Sequence, residues 1–106
     1  MAKGIILVET FPSSPEREQE YNTWYDEVHL QELVALDGFV SARRLRPVDA
    51  DGPYVALYEI EADDLQAVLR GLNDNAGKLH MSGALQLDPP PVMRLLEVTT
   101  EYAPQA

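Results

Sequence analysis

Gly4 to Thr10 is a short run of β-branched and apolar residues that predicts a first strand. After a connection at Phe11 to Ser14 the apolar period changes from two to 3.6. Tyr21, Trp24, Tyr25 and Val28 recur at i, i+3, i+4 and i+7, so they share one face of a helix expected from about Pro15 to Val28. Two starts are written there: Ser13 with Glu16 fits a capping box, and Ser14 before Pro15 fits proline at the first helical position. The phase then slips. Leu30, Leu33 and Val34 form a second stripe, and nine residues at about 100° each put Leu30 opposite Tyr21. One straight helix would need two opposed apolar faces. The pattern therefore predicts a kink or helix end near His29, then a short helix to about Leu36 stopped by Asp37-Gly38.

Phe39 to Pro47 and Tyr54 to Glu61 read as the second and third strands, joined by the turn sequence VDADGP at 48–53. Leu65, Val68, Leu69 and Leu72 mark one face of a helix from Asp64 to about Asp74, with Asp63 and Gln66 as a capping-box-like start. Residues 75–91 carry Gly77, Gly83 and three prolines and predict irregular chain. Val92 to Tyr102 is the last strand, followed by a tail expected to fray. The order β-α-β-β-α-β predicts an α+β, ferredoxin-like sandwich in which residues 1–106 form one domain.

Two helices cover one face of such a sheet, so the other face should be polar in a monomer. Here it is not. Ile6 and Val8 lie opposite Ile5 and Leu7, Tyr58 and Ile60 opposite Val55 and Leu57, and Leu96 and Val98 opposite Met93 and Leu95. A second chain must bury the remaining face, which predicts a homodimer. Glu9, Arg43, Glu59, Arg94 and Glu97 also sit in these strands and are candidates to line a polar space between two sheets.

Charge narrows the partners. Lys plus Arg is 8 and Asp plus Glu is 18, a formal net charge of −10. Nucleic acid and anionic membrane surfaces both need basic patches, and Arg43, Arg44 and Arg46 are too few to supply one. There is no cysteine, which removes disulfides, thiolate metal sites and cysteine nucleophiles. No apolar run reaches the length of a membrane span or signal sequence, so a cytoplasmic location is expected. His29 and His80, 51 residues apart, match no metal spacing, and no phosphate loop, nucleophile elbow or dinucleotide fingerprint is present. The expectation is no metal and no cofactor.

The remaining chemistry centres on His29. On a helix it has Tyr25 at i−4, Asp26 at i−3 and Glu32 at i+3. A carboxylate or backbone carbonyl there would fix one ring nitrogen and leave the other for proton transfer near neutral pH. The plainer reading is a helix-terminal histidine held by the dipole. Tyr21, Trp24 and Tyr25 are first of all a core stripe, but a buried tyrosine hydroxyl needs a partner and can serve as a donor; Tyr54 and Tyr58 are similar. Arg43 and Arg44, consecutive in a strand, point to opposite faces. Whichever faces inward needs a carboxylate, from a ligand or from Glu59 or Glu97. His80 lies in the irregular segment, where it reads as a surface histidine or as a group closing over a pocket.

The stretch EYNTWYDEVHLQELVALDGFVSARRL, Glu20 to Leu45, resembles the EthD-like branch of the dimeric α+β barrel superfamily. The matching features are Tyr-Asn-x-Trp-Tyr, a histidine four residues after the second tyrosine, a short apolar helix, Gly-Phe, and an Ala-Arg-Arg strand. The resemblance implies a dimer whose sheets meet face to face, a pocket between helices and sheet in each subunit, and His29 as the functional residue. Members of this superfamily include polyketide cyclases, lactone isomerases and haem-degrading or quinone-forming monooxygenases, so the fold leaves function open. The expected activity is cofactor-independent, His-assisted proton transfer on an aromatic, polyketide-like or lactone small molecule, as a cyclase, isomerase, lyase or cofactor-free oxygenase. His29, Tyr25 and Arg44 would be catalytic, and Tyr21, Trp24, Asp26, Arg43, Tyr58 and His80 would be binding residues. The alternative is a non-catalytic binding or accessory protein using the same pocket. Haem chemistry is disfavoured: it would need His29 as an axial ligand, and an acidic chain offers few cations for propionates.

Overall fold

A computed structural model describes residues 1–48 and 51–104. Strands β1 (Ala2–Thr10), β2 (Phe39–Leu45), β3 (Tyr54–Ala62) and β4 (Val92–Glu97) form one antiparallel sheet in the order β2-β3-β1-β4. Helices α1 (Glu18–Trp24), α2 (Leu30–Val34) and α3 (Leu65–Asn75) lie on one side of it, giving the α+β, ferredoxin-like architecture. Residues 49 and 50 of the expected turn, and residues 105 and 106 of the tail, lie outside the described residues. The last strand ends at Glu97, five residues earlier than its apolar pattern suggested; only the Val98 amide adds a further bond, to the Lys3 carbonyl at 2.8 Å.

The first helix does not end at His29. Pro15–Arg17 is a 3₁₀ turn with Ser14 at its N-cap position, the Ser14 side chain making no capping bond, and α1 passes into a π-helical turn, Tyr25–His29, then directly into α2. The phase slip is real, and the helix absorbs it. A π-bulge takes in one extra residue, about 100° of rotation. Leu33, twelve residues after Tyr21, then falls about 20° from it instead of about 120°. Tyr21 and Leu33 are both buried on the sheet. The second helix is simpler. Its cap is Asp64, one residue later than the predicted Asp63, with the carboxylate accepting from the Gln66 amide at 3.0 Å. Val68 and Leu72 are its buried positions.

The core lies between helices and sheet. Gly4, Ile6, Val8 and Thr10 of β1 face it, as do Ala56, Tyr58 and Ile60 of β3. Tyr21, Tyr58, Ile6 and Ile60 are the largest side chains with almost no exposure, each aliphatic one contributing about 1.5–3 kcal/mol by burial. On the opposite face Ile5, Leu7, Val55, Leu57 and Leu96 are only half-buried, and Leu45 and Val92 are exposed. Both faces are therefore apolar.

Gly38 turns the chain from α2 into β2 with φ +89°, and a Cβ there would lie 2.6 Å from Cγ2 of Val68. Left-handed backbone disfavours a side chain, and α3 leaves no room for one. Gly38→Ala is expected to lower unfolding stability by about 2 kcal/mol or more, read from the urea midpoint at unchanged slope.

Candidate functional site

The π turn carries two of the three residues at the centre of the site. Tyr25 opens it and His29 closes it, and both are buried. The inserted residue turns His29 inward, onto the aromatic stripe. Its imidazole stacks on Trp24 (centroids 4.5 Å apart, planes at 27°) and meets the edge of Tyr25 at 5.0 Å. The Nδ1 atom is buried without a hydrogen-bond partner among the described residues. The expected carboxylate brace is absent because both candidates are engaged elsewhere. Asp26 binds Arg44 and Glu32 binds His80. Burial holds the His29 pKa down at about 4, with Glu32 only partly opposing it. His29 is therefore neutral at pH 7, not poised near neutrality, and the helix running on past it removes the dipole reading.

Arg44 is the arginine that faces inward. It pairs with Ala56 across the ladder, on the helix side, whereas Arg43 opposite Leu57 points to the open face. Arg44 is not paired with Glu59 or Glu97. Nη1 donates to Asp26 Oδ1 at 2.8 Å and Nη2 to Asn22 Oδ1 at 3.0 Å. Its guanidinium carbon lies 4.4 Å from the Tyr25 ring centroid, 5.1 Å from Tyr54 and 5.3 Å from Tyr21. Three ring faces hold the planar cation in place. Arg44 Nε and the Tyr58 hydroxyl are buried without partners among the described residues. Burial raises the pKa values of Tyr21, Tyr25 and Tyr58, most of all Tyr58, where Tyr25 adds to the effect. These phenols stay protonated. Tyr21 shares a short hydrogen bond with Thr10.

The sequence expectation thus gathers Tyr21, Trp24, Tyr25, Asp26, His29, Arg44 and Tyr58 in one region. Arg43 lies away from it, 3.9 Å from Glu59 on the open face. His80 lies outside as well, with an exposed side chain whose Nδ1 is 2.6 Å from Glu32. Its backbone still matters: the His80 carbonyl accepts from Trp24 Nε1 at 2.7 Å, and its amide donates to Glu32. Arg17 holds the same loop through the Gly83 carbonyl at 2.9 Å. Asn22 and Thr10 were not anticipated. Asn22 is one turn before Asp26, and Thr10 continues the Ile6, Val8 alternation, so spacing alone could have marked both.

Among the described residues, no open pocket stands in front of His29. Tyr21, Tyr25 and Tyr58 fill the space between helix and sheet. Two grooves flank it. One of about 420 Å³ is lined by Asn22, Asp26, Arg44, Leu45, Arg46 and Tyr54. The other, of about 830 Å³, runs between α1 and the 81–83 loop, past Trp24 and Val28. His29 lines neither. Among the described residues no cluster of His, Asp or Glu is arranged to hold a metal ion, and no helix is long and apolar enough to cross a membrane.

No protein-family model and no curated protein matches the sequence. Solved structures do match in shape. The heme-degrader MhuD from Mycobacterium tuberculosis, solved with two hemes in its active site, is similar at a TM-score of 0.66 and 17% identity, over 93% of this chain and 99% of that one. A monooxygenase-like protein from Shewanella loihica, so described by its solvers, is similar at 0.58 and 16%, over 95% and 99%. Heme-free MhuD gives 0.60 and 14%, over 98% and 100%. The fold these likenesses share with this chain is the α+β, ferredoxin-like sandwich. At such identities the likeness concerns fold alone.

The buried imidazole has a consequence for acid stability. Its folded pKa lies below the ordinary 6.5, so the unfolded chain binds the proton more readily. The contribution is complete above pH 6.5 and is lost as pH falls toward 4. It amounts to about 3 kcal/mol, from roughly 1.4 kcal/mol per pH unit. His29→Leu is expected to flatten the stability profile between pH 6.5 and 4. An equal slope in both proteins would show that the ring is not held neutral.

Proposed function

We propose that the chain is a small homodimeric enzyme that moves a proton on an aromatic, polyketide-like or lactone molecule, using His29 and no cofactor. The observation that carries this reading is the unpartnered, buried Nδ1 of a neutral imidazole within an aromatic cluster. A buried polar atom without a partner costs stability and calls for a reason. A π turn, a feature frequent at functional sites, is what puts it there. The motif from Glu20 to Leu45 adds the EthD-like resemblance.

The roles follow from the protonation states. His29 accepts a proton through Nδ1. With a pKa of about 4 it is a weak base, suited to carbon acids that are already acidic, such as the methylene of a β-dicarbonyl, and it gives the proton back readily. Tyr25 and Tyr58, protonated phenols, donate to an oxygen on which charge develops, and Arg44 against the Tyr25 ring stabilises that charge. Tyr25 touches both Arg44 and His29, so a ligand entering from the Arg44 groove reaches the imidazole when that ring moves. Trp24 and Tyr21 supply apolar contact.

Heme is the second reading, suggested by the MhuD likeness. The residues fit it poorly. The imidazole is sandwiched beside Trp24 and Tyr25, and three tyrosines occupy the helix–sheet space. Hemin titrated into the protein is expected to give no Soret shift that His29→Ala removes.

The dimer accounts for the open sheet face. Leu7, Leu57 and Leu96, with Leu45 and Val92, would otherwise leave an apolar patch beyond what a monomer ordinarily exposes. Sedimentation at micromolar concentration is expected to give twice the chain mass, and Leu57→Glu is expected to halve it. A stable, soluble monomer for the native chain would end the reading.

For the activity, purified protein is tested for turnover of β-dicarbonyl, polyketide-like and lactone compounds. His29→Ala is expected to reduce turnover at least about 100-fold. Its melting temperature and sedimentation at pH 7 should stay close to native. Turnover that survives the substitution would remove His29 from the mechanism.

A further inference from the structure

The groove at the end of the sheet holds two of the eight cationic side chains of a strongly acidic chain. Arg44 and Arg46 are two residues apart in sequence and line it together, with Asn22, Asp26, Leu45 and Tyr54 completing the wall. Arg44 is the more unusual. Its side chain is 12% exposed and its plane is fixed by three tyrosine rings, an arrangement that pre-orients a guanidinium fork. Its carboxylate partner is Asp26, through one oxygen only, at 2.8 Å, from a side chain 59% exposed on the helix surface. The second terminal nitrogen makes do with the neutral Asn22 amide oxygen, and Nε has no partner among the described residues. A guanidinium this buried is matched best by a bidentate carboxylate, and it has half of one.

We propose that this groove is the binding subsite for a carboxylate on a small aromatic or polyketide-like acid, with Asp26 as the protein's own displaceable stand-in. The ligand carboxylate takes the two terminal nitrogens of Arg44, Arg46 adds charge at the rim, and the apolar body lies along the Tyr54 ring, on the same sheet face. Asp26 swings out to water, which its exposure permits at little cost. The substrate class deepens the function proposed above, and only the onward placement of the molecule toward His29 rests on that reading.

Salicylate and its neutral methyl ester are the probes, titrated into the intact protein and followed by NMR of the tyrosine rings. Salicylate is expected to bind saturably and to shift Tyr54 and Tyr25, with the ester about ten-fold weaker or more. Asp26→Asn frees the cation and is expected to tighten salicylate several-fold, while Arg44→Lys loses the fork and weakens it about ten-fold. If Arg44→Lys fails to fold by circular dichroism, Arg46→Ala and Asp26→Asn, both on the surface, decide the matter. Equal binding of acid and ester overturns the proposal. So does weaker salicylate binding by Asp26→Asn, or no saturable binding by either native or Asp26→Asn protein. His29→Ala is expected to bind salicylate like the native chain. Loss of the carboxylate effect with His29-dependent turnover intact therefore removes only the subsite. Binding retained with no His29-dependent turnover removes only the catalytic reading.

Discussion

The aromatic stripe of α1 and the aliphatic stripe of α2 can face one sheet only because the helix between them holds one residue more than an α-turn allows. Without it, Leu33 would point sideways when Tyr21 points down. The π turn costs regular hydrogen bonding and returns a continuous buried face from Tyr21 to Leu33. The same rotation commits His29. A histidine at the end of the turn goes where the turn sends it, under Trp24 and without a hydrogen bond to Asp26 or Glu32. Core packing and candidate chemistry thus have one cause, and moving the bulge would alter both.

Around that turn the interior is polar in an uncommon way. Four tyrosines, a threonine, a histidine and an arginine sit where aliphatic residues would pack more simply. Aromatic faces stand in for some of the hydrogen bonds such groups lose on burial, as the three rings around Arg44 show. Among the described residues, what the rings cannot replace is left over at three atoms: His29 Nδ1, Arg44 Nε and Tyr58 Oη. Dispensable polar groups at such positions are costly, and all three lie around a single ring, Tyr25, or next to it.

The order of elements along the chain, the two helical segments and the apolar residues on both sheet faces were legible because each rests on periodicity, which local sequence carries in full. Ile5 against Ile6 and Leu57 against Tyr58 give the faces without any knowledge of partners. The slip between Tyr21 and Leu30 was legible too, but sequence cannot tell a broken helix from a bulged one, since both restore the phase. The site was half legible. That Arg43 and Arg44 diverge follows from the pleat; that Arg44 is the inward one depends on register with β3. The pairing of Asp26 with Arg44 rather than His29, and of Glu32 with His80, is decided by tertiary geometry across separations of 18 and 48 residues. The neutral state of His29 follows first from its burial, and carboxylates paired elsewhere leave that burial weakly opposed.

Trp24 is the sole tryptophan of the chain. Its indole stacks on His29, touches Tyr25 and donates to the loop carbonyl of His80. Tryptophan fluorescence therefore originates entirely from the site. Charging the stacked imidazole would quench it, and releasing the loop would free the indole N–H and shift its emission. The protein carries its own optical probe at the place where its chemistry is proposed, so protonation, loop opening and ligand arrival can each be followed without a label.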